Sequence, residues 1–376
     1  MRIDRREFMK RAGIAGVVLV GTACTPAAVP TPTPSPAASK PIAAGAASPT
    51  AVPAVAKPTL KPATVRFGSI KSTSDAGVFI ANEKGYFQEQ GLTLDLQLFG
   101  SGAAMLAPLT NGDLDCYGAA LATGILNAMD RGIALKIVAD KGTSGPGFEY
   151  AQIVLRKDLA DSGQIKEVKD LKGKKIGVTS LAGSGEAAVA YLVKQAGLTI
   201  KDVELVAMAY SDMIAALANK GLDVADMTEP TLSTVISQNL AMAWPPGTRS
   251  ATYGGVYQAA ELVFSAQFAQ NIDVARRFMV AYLKGVRDYN DAFAKGKGKS
   301  DIVNILIKNT ALKDPAIYDT MKLPGLNPDG KLALAGMNMD LDYFKQGGYY
   351  TGKLSVNDIV DTQFVDYAVQ QLGAYK

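Results

Sequence analysis

The chain has 376 residues, enough for two domains of ordinary size, and its 48% hydrophobic and 20% charged residues are typical of a globular protein. Its formal net charge is +4, but residues 1–24 hold five basic and two acidic side chains, so the remainder is close to neutral. A nearly neutral body argues against a nucleic-acid-binding surface. The sequence contains no histidine, the commonest general base and metal ligand. We therefore expect no catalytic residue, no metal site and no cofactor.

Residues 1–24 have the features of an export signal. Residues 4–10 read DRREFMK, which resembles the twin-arginine export motif R-R-x-F-x-K. The apolar run at 12–20 is too short to span a bilayer. It ends in GTAC, which resembles a bacterial lipoprotein processing site, although Gly21 stands where leucine is usual. We predict lipidation of Cys24 and a protein anchored outside the cytoplasm, with simple cleavage to a soluble secreted or periplasmic protein as the alternative.

Residues 25–62 are rich in Pro, Ala, Thr and Ser and carry almost no large apolar side chains. Such a composition cannot bury enough surface to fold alone. We predict a disordered tether that reaches at most on the order of 100 Å, at ~3.1 Å per residue. A lipid anchor with a tether would keep a folded body close to a membrane partner.

Two stretches of the body follow the same plan. The pattern of residues 65–118 predicts alternating strands and helices at 65–69, 76–87, 94–99, 103–109 and 115–118. Residues 174–230 repeat this order, and GLTL at 91–94 matches GLTI at 197–200. Cys116 falls in a predicted buried strand and is expected to be a core residue. Two like βαβαβ units predict two like lobes with a cleft between them.

The rest of the body completes these lobes. Two strands, 150–156 and 258–265, stand outside the repeated units, and we interpret them as the crossovers between the lobes. Further elements are predicted as a helix at 119–129, a strand at 135–139, a loop at 142–147, an amphipathic helix at 271–293 and capping helices within 296–376. The predicted first lobe comprises 63–152 and 265–376, and the second comprises 153–264.

The body carries a set of motifs in a recognisable order. GYFQEQGLTL lies at 85–94, an L-x-x-G-x-x-D turn at 109–115, DLKGKKIGV at 170–178, a Gly-Ser-Gly turn at 183–185, and Glu-Pro at 229–230. This set resembles the substrate-binding proteins of nitrate-, sulfonate- and taurine-type ABC importers, whose relatives include proteins that bind the pyrimidine precursor of thiamine. The resemblance implies an α/β, two-lobe periplasmic-binding-protein type II fold that closes on a small solute. It also implies an ABC permease in the membrane as the partner.

The candidate ligand-binding residues come from the loops that follow the predicted strands. Ligands of open α/β sheets bind beyond the carboxyl ends of the strands. The Gly-Ser-Gly turn precedes a helix, so its amide N–H groups can approach a small anion, although its spacing is not that of a dinucleotide fingerprint. The residues expected to bind the solute are Ser72, Ser74, Asp75, Ser101, Gly102, Ala120, Ser180, Ser184, Gly185, Tyr210 and Glu229.

Several of these residues have a purely structural alternative. Asp75 and Glu229 could accept from an amine or a ring N–H, but Asp75 could equally cap the helix that follows it. Tyr117 and Tyr210 could stack on a ring or pack in a core. Trp244 could lie at the rim of the cleft, but its position is not fixed by the pattern.

The leading functional prediction is a monomeric solute-binding component of an ABC importer, not an enzyme. The solute would be a sulfonate-, nitrate- or taurine-like anion or a pyrimidine-like precursor. The strand-end loops hold a single basic residue, Lys71, so amine-bearing and aromatic solutes stay open. One alternative is an enzyme similar to the thiamine-pyrimidine synthases, which the absence of histidine disfavours. The other is a sensory ligand-binding protein without transport.

Overall fold

The computed structural model describes residues 60–376. The predicted leader, the lipidation site at Cys24 and the predicted tether up to residue 59 lie outside the described residues. Within residues 60–376, no helix combines the length and the apolar character needed to cross a membrane.

The first of two sheets has five strands. They are β1 (Ala63–Ser69), β2 (Leu92–Leu98), β3 (Cys116–Ala119), β4 (Lys136–Ser144) and β10 (Tyr257–Phe264). Their order is β2-β1-β3-β10-β4. β1 pairs in parallel with β2 and β3, and β10 runs antiparallel to both β3 and β4.

The second sheet repeats this arrangement. Its strands are β5 (Ala151–Arg156), β6 (Lys175–Val178), β7 (Glu204–Ala207), β8 (Val224–Thr228) and β9 (Ala241–Thr248). Their order is β7-β6-β8-β5-β9, with β6 parallel to β7 and β8, and β5 antiparallel to β8. In both sheets the first strand of the repeated unit lies in the middle of a parallel trio. The predicted α/β architecture and the like construction of the two units are confirmed.

Helices cover both faces of each sheet, and we call each sheet with its helices a lobe. The helices are α1 (Ala76–Glu83), α2 (Tyr86–Glu89), α3 (Gly102–Asn111), α4 (Thr123–Asp130), α5 (Lys157–Asp161), α6 (Ser184–Lys194), α7 (Tyr210–Ala218), α8 (Thr231–Ser237), α9 (Arg249–Tyr253), α10 (Ala266–Gln270), α11 (Ile272–Lys295), α12 (Lys299–Asn309), α13 (Leu334–Gln346), α14 (Val356–Ile359) and α15 (Gln363–Leu372). Buried side chains of the first lobe pack as two clusters, one on each face of its sheet, and those of the second lobe do the same.

Phe278 of α11 is the centre of the largest of these clusters. Its ring centroid lies 5.2 Å from that of Phe87, 5.8 Å from that of Phe264 and 5.9 Å from that of Phe268. Such aromatic pairs are worth about 0.5–1.5 kcal/mol each beyond the area that they bury. The predicted amphipathic helix at 271–293 is therefore confirmed, with its apolar face against β1 and β10. Cys116 is buried and forms no disulfide bond within residues 60–376, as expected of a core residue.

The structure corrects three predicted elements. The helix expected at 76–87 is divided into α1 and α2, because Gly85 adopts a left-handed conformation with φ of 78°. The strand expected at 135–139 extends to Ser144, so the loop expected at 142–147 is shorter. The pattern missed β9, because its sequence AMAWPPGT contains two prolines; β9 pairs only with β5 and ends the second sheet, where proline is tolerated.

The predicted boundary between the lobes is wrong at β10. The division at 264/265 assigned this strand to the second lobe, whereas β10 pairs with β3 and β4 in the first sheet. The chain passes between the sheets at 145–150 and at 249–256, next to the two strands that we interpreted as crossovers. An isolated apolar strand carries no signal that tells which sheet it joins, because antiparallel pairing is set by distant partners.

Candidate functional site

A cavity of about 320 Å³ lies between the two sheets, at the carboxyl ends of the parallel strands. The residues that line it include most of the predicted ligand-binding positions, namely Ser72, Ser74, Gly102, Ala120, Ser180, Ser184 and Tyr210. These positions span 138 residues of the chain, from Ser72 to Tyr210 (210 − 72), and the repeated fold brings them together. A cavity of this size suits a small molecule.

The two lobes touch on both sides of this cavity. On one side, Thr73 N donates to the backbone oxygen of Glu229 at 3.3 Å, and Ser72 Oγ donates to the same oxygen at 3.1 Å. On the other side, Ser184 N donates to Leu121 O at 3.2 Å, and Thr123 N donates to Ala182 O, also at 3.2 Å. These contacts close the cavity between the lobes.

Lys141 is the charged side chain that lines the cavity, and it is not among the residues predicted to bind the solute. Its Nζ lies 2.7 Å from Asp75 Oδ1 and donates to Ser74 Oγ at 2.8 Å. Ser69 Oγ donates to the other Asp75 oxygen at 2.6 Å. Lys141 and Asp75 are 1% and 0% exposed, so this is a fully buried ion pair. The sequence signal for Lys141 was its place at the end of the apolar run KIVADK. The predicted strand ended at residue 139, so Lys141 was not recognised as part of β4.

Gly118 of β3 makes room for the lysine. A Cβ atom at this position would lie 1.8 Å from Lys141 Cδ and 1.9 Å from Cε. Only glycine therefore lets the lysine side chain cross β3 and reach Asp75. Asp75 precedes α1 but makes no side-chain capping bond, so its role is that of a counter-ion to Lys141 and not the helix cap considered above.

Three tyrosines add aromatic surface to the cavity. Tyr117, Tyr150 and Tyr210 all line it. Burial raises the pKa of each phenol above its ordinary value, so each stays neutral at physiological pH. The cavity thus offers uncharged hydroxyl groups and ring faces beside one ion pair.

Three predicted positions lie next to the cavity without lining it. Ser101 caps α3 by accepting from Ala104 N at 3.3 Å. Gly185 faces the second lobe's interior, where an added Cβ would lie 2.6 Å from Asp226 Oδ2. Asp226 in turn forms a buried ion pair of 2.6 Å with Arg249. Asp75 does not line the cavity itself but forms the ion pair with the lining residue Lys141.

The Glu229 side chain points away from the cavity, although its backbone oxygen helps to close it. Its carboxylate accepts from Ser233 N at 2.9 Å and from Ser233 Oγ at 2.8 Å. Burial raises the pKa of Glu229 to about 7. The carboxylate borders a second, more open cavity of about 600 Å³, which Trp244 also lines. The expectation that the Glu229 side chain touches a solute in the interlobe cavity is therefore not met.

The described residues include no group of His, Cys, Asp and Glu side chains arranged to hold a metal ion.

A family model described as NMT1/THI5 like matches residues 72–292, more than half of the chain. The chain belongs to the NMT1/THI5-like family. In an alignment of 213 residues, the chain is 29% identical to a Brucella abortus protein that is provisionally named a binding protein. That alignment covers 57% of this chain and 62% of the relative, so it spans less than two thirds of the relative's length.

Solved structures share the fold of this NMT1/THI5-like chain. The alkanesulfonate-binding protein SsuA from Xanthomonas axonopodis pv. citri, solved with MOPS bound, aligns with a TM-score of 0.65 at 18% identity. The alignment covers 81% of this chain and 100% of that protein. The desulfurization enzyme DSZB aligns with a TM-score of 0.55 at 14% identity, over 82% of this chain and 99% of the enzyme. These similarities confirm the periplasmic-binding-protein type II fold, which also occurs in an enzyme.

Proposed function

We propose that this protein is the extracytoplasmic solute-binding component of an ABC importer. It would capture a small molecule between its lobes and deliver it to a permease in the membrane. The observation that carries this proposal is the cavity itself, which both lobes line and whose two sides are closed by hydrogen bonds between the lobes. Hinged closure of two lobes around a ligand is the motion that such proteins use.

The size and lining of the cavity limit the solute. A cavity of about 320 Å³ falls near the lower end of the range for small-molecule sites. Hydroxyl groups, ring faces and one lysine can hold a sulfonate-, nitrate- or taurine-like anion or a pyrimidine-like ring. Micromolar affinity requires about −8 kcal/mol, which a few hydrogen bonds and the burial of one small molecule can supply.

The leader supports a location outside the cytoplasm. Its arginine pair fits the twin-arginine export route, and Cys24 with the following tether fits a lipid anchor on the membrane. This arrangement would keep a monomeric binding protein within reach of its permease. Metabolic labelling with palmitate tests the anchor: the wild type is expected to take up label, and Cys24→Ser is not. Equal labelling of both would rule out an anchor on Cys24.

A substitution that fills the cavity tests the function. Ala120 lines the cavity, so Ala120→Trp is expected to abolish solute binding while the chain stays folded. Ala107→Trp is the matched control, because Ala107 is exposed on α3 in the same lobe. Calorimetric titration with sulfonates, nitrate, aminopyrimidines and small amines gives the readout. The proposal fails if Ala120→Trp binds a solute as tightly as the wild type, or if no solute binds to the wild type.

A further inference from the structure

The charged groups at the interlobe cavity cancel one another. Among residues 60–376, Lys141 is the only charged side chain that lines the cavity, and Asp75 Oδ1 lies 2.7 Å from its ammonium nitrogen. The Lys141 side chain is 1% exposed, so it presents almost no charged surface to a solute. A charged solute would therefore lose its hydration in the cavity without meeting an unpaired opposite charge.

The backbone amides best placed to bind an anion already have acceptors within the protein. Amide groups at the start of a helix are a common binding site for anions. At the start of α6, Ser184 N donates to Leu121 O, and at the start of α4, Thr123 N donates to Ala182 O. These donors hold the lobes together, so an anion in the closed cavity would not receive them.

The first lobe contributes an apolar wall to the cavity. The accessible side chains of this wall are apolar, among them those of Ile70, Ala103, Leu106 and Ala120. Ser72 and Ser74 lie in the same wall but are only 4% and 2% exposed. Ser72 Oγ donates to the backbone oxygen of Glu229, and Ser74 Oγ donates to Ser72 Oγ. This wall therefore suits an apolar part of a solute.

The second lobe contributes uncharged hydroxyl groups to the opposite wall. Thr179 and Ser180 follow β6, Tyr210 begins α7, and Thr228 ends β8. All four residues line the cavity and are half-buried, so their side chains remain accessible from within it. Because a hydroxyl group can both donate and accept a hydrogen bond, this wall suits a neutral polar group such as an amide or an alcohol.

We propose that the solute is an uncharged molecule with an apolar side that packs on Ile70 and Leu106, and a neutral polar edge that hydrogen-bonds to the hydroxyl groups of the second lobe. This inference rests on the proposed function and narrows its solute class to uncharged molecules. It distinguishes this protein from the structurally similar alkanesulfonate-binding protein, whose name specifies an anion.

The test uses probes of one shape and different charge on the full chain. Benzamide, benzoate and benzamidine are respectively uncharged, negative and positive at neutral pH, and benzenesulfonamide and benzenesulfonate form a second matched pair. All five are titrated by calorimetry into the wild type and into the double variant Thr179→Val/Thr228→Val, which removes two hydroxyl groups and keeps the shape of both side chains. Thr93→Val is the control, because Thr93 is exposed on β2 and does not line the cavity.

We expect the wild type to bind benzamide and benzenesulfonamide at least about 10-fold more tightly than their charged counterparts. The double variant should bind benzamide about 10- to 100-fold more weakly, as two lost hydrogen bonds imply, and Thr93→Val should bind it within about twofold of the wild type. Tighter binding of benzoate, benzenesulfonate or benzamidine than of the uncharged partner would overturn the inference and leave the proposed function standing. Unchanged benzamide affinity in the double variant would overturn it too. The preference of the wild type decides the charge of the solute even if the double variant does not fold.

If no probe binds, the molecule that the chain retains when purified from its own cells decides the outcome. An uncharged molecule supports the inference, and a charged one overturns it without touching the proposed function. If the chain retains no molecule at all, the inference and the proposed function fall together.

Discussion

The buried pair of Lys141 and Asp75 allows a quantitative test of how the cavity is built. Lys141→Met keeps the length of the side chain but leaves the Asp75 carboxylate buried without its counter-ion. Removing one partner of a buried ion pair costs about 3–5 kcal/mol in the free energy of unfolding. Adding Asp75→Asn removes the stranded charge, so we expect the double variant to recover most of this loss.

Urea denaturation with linear extrapolation measures these free energies. The control is Lys157→Met, because Lys157 pairs with Asp161 on the surface, where the two side chains are 36% and 58% exposed. An exposed pair of this kind contributes about 0.3–0.5 kcal/mol. The reasoning is refuted if Lys141→Met is no more destabilising than the control, or if the double variant is as unstable as the single one.

Two further predictions follow from close contacts and from burial. Gly118→Ala should destabilise the chain by about 3–5 kcal/mol in urea denaturation, because its Cβ would displace the Lys141 side chain from Asp75. Gly255→Ala, in open space, should change stability by less than about 0.5 kcal/mol. Equal effects of the two would contradict the packing described for β3. For Glu229, burial raises the pKa from 4.5 to about 7, so the native state holds a proton that the unfolded state releases. This contribution to stability is fully present below pH 4.5 and is lost as the pH rises through about 7. Glu229→Gln should therefore flatten the fall in stability across this window, and an unchanged slope would show that the glutamate does not carry it.

The sequence predicted the fold and the site best where they depend on the local pattern of strands and helices. The repeat at 65–118 and 174–230 predicted two like sheets, because strand and helix periods are local properties of the chain. Because ligands of such sheets bind beyond the carboxyl ends of the strands, Ser72, Ser180 and Tyr210 were predicted to lie at one site. All three line the interlobe cavity. These predictions needed no knowledge of how distant segments pair.

Sequence reasoning failed where the outcome depends on distant partners. β10 belongs to the first sheet because it pairs with β3 and β4. The amino-acid sequence of β10 does not indicate which strands it pairs with. The Lys141–Asp75 pair depends on a gap that Gly118 leaves in another strand.

The central claim is that the interlobe cavity holds a small solute, and native mass spectrometry of the full chain tests it most directly. The wild type and Ala120→Trp are purified in parallel from the cells that make the protein and are weighed under non-denaturing conditions. We predict that the wild type carries an additional small mass, which is lost on denaturation, and that Ala120→Trp is empty. Equal retention of the same mass by both would place the solute elsewhere and contradict the claim.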